Sequence, residues 1–149
     1  MVADCVFCGI VAGTVPAFIV ASVPAGVAFL DIRPVFKGHV LVVPRAHVVQ
    51  LADLPASEIP GYFRFVQLLS VAVPAALGSQ GTFVAMNNIV SQSVPHLHSH
   101  VVPRTKGDGL RGFFWPRHKY ASDDEAGSFA SKVGNEYRSL DVAEGGRRE

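Results

Sequence analysis

Residues 95–103 read Pro-His-Leu-His-Ser-His-Val-Val-Pro, and the period of two in that run constrains the fold more than any other feature of the chain. In an extended chain, side chains two apart face the same way. His96, His98 and His100 would then form a row at intervals of about 7 Å, with Leu97 and Ser99 turned to the opposite face. Three imidazoles on one face make a poor apolar core, because each ring carries a polar nitrogen that needs a partner. The run therefore predicts a functional strand. Two chemistries use such a row: imidazoles bind zinc, or a neutral imidazole attacks an electrophile and is later displaced from a covalent intermediate. Spacing alone does not choose between them. Pro95 lacks a backbone donor and predicts an edge position or a local bulge.

The rest of the chain supplies a sheet for this strand to join. Residues 18–23 and 27–32 are strand-like runs joined at Pro24-Ala25-Gly26, which predicts a hairpin. Residues 39–43 form another run, admitted by Gly38 and stopped by Pro44. Asp53 or Ser57 is placed to cap a short helix. Pro60 begins a longer helix to about Leu77, with Tyr62, Phe63, Val66, Leu69 and Val73 as its buried stripe and Pro74 tightening its last turns. Residues 82–86 are a strand, 87–93 a polar turn and 123–137 a modest helix. This order has no repeat and no regular alternation, so it predicts an α+β fold: an antiparallel sheet of about five strands with a main helix and smaller helices. At 149 residues the expectation is one domain, 1–149, with a frayed end from 144 to 149.

Composition narrows the partners. The chain is 49% apolar and 17% charged with a formal charge of +1, ordinary values for a soluble globular protein that give no reason to expect nucleic acid. No basic segment leads into an apolar run near the start, and no uninterrupted apolar stretch approaches the roughly 20 residues of a membrane span. A cytoplasmic protein without membrane attachment is expected. Just before the histidine row, Asn87, Asn88, Ser91, Gln92 and Ser93 supply amides and hydroxyls suited to non-bridging phosphate oxygens. The only two cysteines, Cys5 and Cys8, have the spacing of a redox pair or of half a metal site. A zinc site needs two more ligands from distant sequence, and His47 and His96 are available. No helix-start context for a redox pair is evident.

The run from Ser91 to Arg104 resembles the signature of the histidine-triad (HIT) family, in which histidines alternate with apolar residues and a Gln stands four positions before the first. Gly38-His39-Val40-Leu41-Val42-Val43-Pro44-Arg45 is similar to the segment carrying that family's additional upstream histidine. Ala28-Phe29-Leu30-Asp31-Ile32-Arg33-Pro34 resembles its ribose-contacting stretch. The resemblance covers residues 5–104 and leaves 105–149 as a C-terminal extension.

That resemblance implies a HIT-like fold and a nucleotidyl hydrolase or transferase. His98 would attack the α phosphorus of a nucleoside phosphate derivative, such as a phosphoramidate or dinucleoside polyphosphate, and carry the nucleotide covalently. His100 would lie against the phosphate and leaving group, while His39 and the strand backbone would set the nucleophile's tautomer. Gln92, Ser93 and one of Asn87 and Asn88 would hold phosphate oxygens, and Asp31 would take the ribose hydroxyls. Val6, Phe7, Ile10, Phe29, Leu30 and Ile32 would enclose the base, expected to be a purine, with weak discrimination. Some HIT proteins, among them a bacterial zinc-containing branch, and the related galactose-1-phosphate uridylyltransferases have two early cysteines and two such histidines. This implies a closed structural zinc on Cys5, Cys8, His47 and His96 with no open position for water, no organic cofactor, and a homodimer.

Three departures or additions stand out. Ser91 occupies a position where many relatives have Gly, which would alter the backbone approach to phosphate. Ser99 replaces the usual apolar residue between the second and third histidines, and a packing cost is expected. The segment Arg111-Gly112-Phe113-Phe114-Trp115-Pro116-Arg117 would close over substrate, bind a second nucleotide or polyphosphate, meet a partner subunit or simply pack, and His118 is expected at the surface. The competing functional classes are a nucleotide-binding regulatory or scaffold module with little turnover, and a zinc-centred structural or redox protein.

Overall fold

The computed structural model describes residues 5–110 and 118–145, with backbone only for 141–145. Helix α1 (Val6–Ala12) comes first and ends at Gly13, whose φ of 74° closes the helix in the left-handed region. The sequence reading assigns no element here. Its signals are Phe7, Ile10 and Val11 at three- and four-residue spacing, followed by the glycine stop. Cys5 is the N-cap residue and Cys8 lies inside the helix, so the pair does stand at a helix start.

Strands β1 (Ile19–Val23) and β2 (Gly26–Leu30) form the expected hairpin. β3 (Val40–Val43), helix α2 (Ile59–Leu77), β4 (Gly81–Ala85) and β5 (Ser99–Arg104) follow. A short 3₁₀ turn at Leu51–Asp53 precedes α2. All pairings are antiparallel, in the order β1-β2-β3-β5-β4, which places β5 inside the sheet. Gly38, with φ 90°, lies where a side chain would meet Leu77, so the approach to His39 requires glycine.

Both faces of the sheet are covered. Ala28, Val40, Val42, Leu97 and Val101 pack with Tyr62, Phe65, Val66, Leu69 and Val73 of α2, while Val27, Phe29, Leu41 and Val43 pack with Phe7 and Ile10 of α1. Burial on two sides explains why β2 and β3 are continuous apolar runs rather than alternating ones. The α2 stripe differs from expectation at one position: Phe65 is buried and Phe63 is exposed. By length and mean hydropathy alone α2 would also pass for a membrane-crossing helix, although Arg64, Gln67 and Ser70 interrupt its apolar run. Its apolar stripe is nonetheless committed to the sheet.

The histidine strand is shorter than its pattern. The ladder begins at Ser99, so only His100 of the three lies within β5, and Pro95 precedes the strand rather than marking an edge. Alternation persists through the irregular stretch: Leu97 joins the α2 core, whereas the rings of His96 and His98 lie 6.0 and 5.3 Å from that of Phe7 in α1.

Contacts divide the chain into two compact units, 1–108 and 109–149. The second contains helix α3 (Asp123–Gly145), longer than the 123–137 segment expected. Ser122 Oγ accepts the Glu125 N–H, and three acidic residues fill the first turn, where the helix dipole favours them. His118 is exposed, and the 111–117 segment lies outside the described residues.

Candidate active site

The chain enters β5 at a point where backbone carbonyls are free to meet side chains. His98 Nδ1–H donates to the His96 carbonyl at 2.7 Å. A carbonyl only accepts, so the proton is assigned to Nδ1 and Nε2 keeps its lone pair. His98 also lines a cavity on this face. The arrangement presents an unprotonated ring nitrogen backed by a carbonyl that stabilises positive charge on the ring, as a nitrogen nucleophile requires.

His100 is arranged in the opposite sense. The Val35 N–H donates to His39 Nδ1 at 3.3 Å, which leaves the His39 proton on Nε2, 3.0 Å from His100 Nδ1. His100 Nδ1 accepts, so its own proton sits on Nε2. Asp31 Oδ2 also stands 3.4 Å from His39 Nδ1, a contact that would be an ion pair only if that nitrogen were protonated. Burial holds His39 below its usual range, so the neutral, Val35-bonded form is the better description. The rings of His98 and His100 are 5.0 Å apart, one offering a lone pair and the other an N–H.

Burial is also the first cause of the His100 shift, which with the neighbouring His98 and His39 lowers its pKa from 6.5 to about 4. Unfolded, the ring would take up a proton near pH 6.5; folded, it resists until about pH 4. The unfolded state binds more protons in that window, so stability present above pH 6.5 is lost as the pH falls towards 4. Thermal unfolding should show Tm falling across this range and a flatter slope in His100→Asn. An unchanged slope in that variant would exclude His100 as the titrating group.

The cavity holds about 560 Å³. Its walls include six residues expected around a base, Val6, Phe7, Ile10, Phe29, Leu30 and Ile32, together with Asp31, Ser93, His98 and His100. Sequence reading missed Val15, Pro16, Ala17, Arg33, Leu41 and Val94, which also line it. Most of these are apolar residues in turns or strand faces with no chemical signature of their own. Phe7, Ile10 and Phe29 belong to the core and the cavity wall at once.

Asn87, Asn88 and Gln92 do not line this cavity. Gln92 Nε2–H donates to the Val49 carbonyl at 2.7 Å, and its Oε1 accepts the Ile89 N–H at 3.0 Å. Asn88 Oδ1 accepts the Leu51 N–H at 2.9 Å, and Asn87 Nδ2–H donates to the Ser91 carbonyl at 3.2 Å. These amides organise their own loop. They hold Ile89 and Ser91 at φ 68° and 59°, the left-handed region that favours glycine and that a β-branched residue adopts only under constraint. Ser91, expected to alter the backbone approach to phosphate, thus adopts a conformation that glycine would take without strain.

A second cluster adjoins the first. Single donor atoms of Cys5, Cys8, His47 and His96 all lie within 4.8 Å of one another. His96 Nδ1 is 3.5 Å from Cys5 Sγ and 3.7 Å from Cys8 Sγ, and His47 Nδ1 is 3.3 Å from Cys8 Sγ. Sulfur and nitrogen ligands on one tetrahedral zinc stand about 3.6 Å apart, given Zn–S and Zn–N bonds of about 2.3 and 2.0–2.1 Å. The donor set and spacing fit that ion. The His96 ring is also turned correctly, because Nε2–H donates to the Pro44 carbonyl at 3.1 Å and leaves Nδ1 for a metal.

The family model for the HIT domain matches residues 12–107. An adenosine 5′-monophosphoramidase of Schizosaccharomyces pombe is 32% identical over 123 residues, 81% of this chain and 90% of the relative. Among solved structures, a HIT family protein of Bacillus subtilis superposes with a TM-score of 0.81 at 30% identity, covering 89% of this chain and 96% of that one. A zinc-bound histidine triad family protein of Mycobacterium smegmatis gives 0.68 at 33% identity, covering 92% and 97%.

Proposed function

This chain belongs to the HIT domain family, and from that membership and the cavity geometry we propose that it is a nucleotidyl hydrolase or transferase acting through a covalent adduct on His98. The single observation that carries the reading is the 2.7 Å bond from His98 Nδ1–H to the His96 carbonyl, because it leaves Nε2 as the nucleophile on a cavity wall. That nitrogen forms a bond to the α phosphorus while the bond to the leaving group breaks, its electron pair going to the departing atom. His100 Nε2–H hydrogen-bonds that atom or a non-bridging oxygen, and positive charge on the His98 ring is shared with the His96 carbonyl. Water, or another acceptor, then displaces the nucleotide from His98. Asp31 at the cavity wall takes ribose hydroxyls, and the apolar walls take a purine.

The relative named as an adenosine 5′-monophosphoramidase supports an amine as leaving group. Zinc held by Cys5, Cys8, His47 and His96 belongs to the same reading, supported by the donor spacing and by the zinc-bound relative. With four protein ligands it would supply a cross-link between the N-terminal segment, the loop after β3 and the approach to β5. The decisive experiment incubates the protein with adenosine and guanosine phosphoramidates and dinucleoside polyphosphates, quenches early in the reaction and seeks a nucleotidyl group by mass spectrometry. A mass increase on the peptide carrying His98, with release of nucleoside monophosphate, is expected. Tight nucleotide binding with neither adduct nor turnover would replace this reading with a regulatory binding module.

A further inference from the structure

Ser99 departs from the apolar residue usual at its position, and the structure gives it a partner in place of the expected packing cost. Its side chain is fully buried behind the histidines, as is that of Tyr62 on α2. The Tyr62 hydroxyl donates to the Val42 carbonyl at 3.0 Å and lies 2.8 Å from Ser99 Oγ. Tyr62 has one hydrogen, so with that hydrogen on Val42 the Ser99 hydroxyl is the donor to Tyr62. The Tyr62 hydroxyl is itself pushed up to about 12, mainly by burial, and stays protonated in this role.

The location gives these hydroxyls more than a packing role. Val42 and Ser99 are the last matched pair of the β3–β5 ladder. One residue earlier the chain has left the sheet: the Leu97 N–H donates to the Val48 carbonyl, and His98 turns its ring to the His96 carbonyl. The ends of ladders open more easily than their centres. A freely opening end here would move His98 and His100, which flank Ser99 directly, relative to each other.

We propose that Tyr62 and Ser99 are positioning residues that pin the end of the ladder and thereby hold His98 in its single attacking tautomer. The proposal rests on the nucleotidyl-transfer reading for its kinetic consequences but not for its structural one. Neither side chain lines the cavity, and both act from behind it. Since the two hydroxyls complete one hydrogen-bonded unit, removing either should loosen the same joint, and removing both should add little.

Tyr62→Phe, Ser99→Ala and the double variant test this, each deleting oxygen without adding atoms. Two readouts are needed: kcat and KM on an adenosine phosphoramidate, and the ¹⁵N shifts of the His98 ring, which distinguish its tautomers. Each single variant should lower kcat about ten- to hundredfold with KM nearly unchanged. The His98 shifts should move from one tautomer towards a mixture, with the double variant close to the more affected single one. Folded variants with wild-type kcat and unmoved His98 shifts, whatever their Tm, would overturn the proposal. If Tyr62→Phe fails to fold, Ser99→Ala decides alone, since it leaves Tyr62 bonded to Val42. Should the wild-type protein turn over no substrate, the functional reading fails while the ¹⁵N shifts still decide this one.

Discussion

His98→Ala should abolish turnover of a phosphoramidate, by about a thousandfold or more in kcat, while leaving nucleotide affinity within a few fold. The asymmetry follows from the geometry. On the proposed reading affinity would come from the apolar walls and Asp31, which the substitution does not touch, whereas among the described residues lining the cavity no other ring nitrogen has the same hydrogen bonding. His100 cannot substitute, because its Nδ1 accepts from His39 and its remaining nitrogen carries the proton. Folding should survive. The His96 carbonyl loses one donor but keeps Gln92 Nε2 at 3.4 Å, and the vacated space opens towards the cavity. Added imidazole, sized to that space, should restore part of the activity and separate loss of the nucleophile from general damage. Single-turnover kinetics with the variant make the check, and wild-type turnover would end the nucleophile assignment.

The second large effect concerns stability. Metal analysis of protein purified without chelator should find about one zinc per chain, and Cys8→Ala should lose it and lower Tm by about 10 °C or more. Cys8 is buried, with Sγ beside both His47 and His96. Burial pushes the Cys5 thiol up and the His96 ring down, so both groups resist carrying charge when no cation is bound. A bound cation would reverse that preference and tie segments distant in sequence, stabilising the native state by mass action. Because the core between α2 and the sheet contains none of the four ligands, the variant should retain a folded state of lower Tm rather than unfold outright. Unaltered Tm and metal content in Cys8→Ala would remove zinc from the account.

Much of the fold was legible because its elements carry local signals. The hairpin, the 39–43 run, the proline-started helix and the 82–86 strand lie within two residues of their predicted positions. Errors fell where tertiary contacts overrule local pattern. The period of two extends the histidine strand to residue 95, but pairing with β3 ends at Ser99, where Leu97 turns to Val48. The α2 stripe picked Phe63 over Phe65 because both fit a helical period; the face that α2 packs on the sheet carries Phe65 and leaves Phe63 exposed. Ser99 reads as a flaw until Tyr62, 37 residues away, supplies its hydrogen bond. Gln92 carries a contact that no local pattern signals, its Nε2–H donating to the Val49 carbonyl 43 residues away.

The order of the elements and the division of the histidine run into two faces were determined by the sequence itself, since both follow from chain geometry over a few residues. What each histidine does was decided only by the tertiary structure. His96 faces Cys5 across 91 residues of chain, His100 meets His39 across 61, and His98 alone bonds to a carbonyl in its own segment. The state of an imidazole depends on which partner occupies each ring nitrogen, and those partners are brought there by packing rather than by spacing.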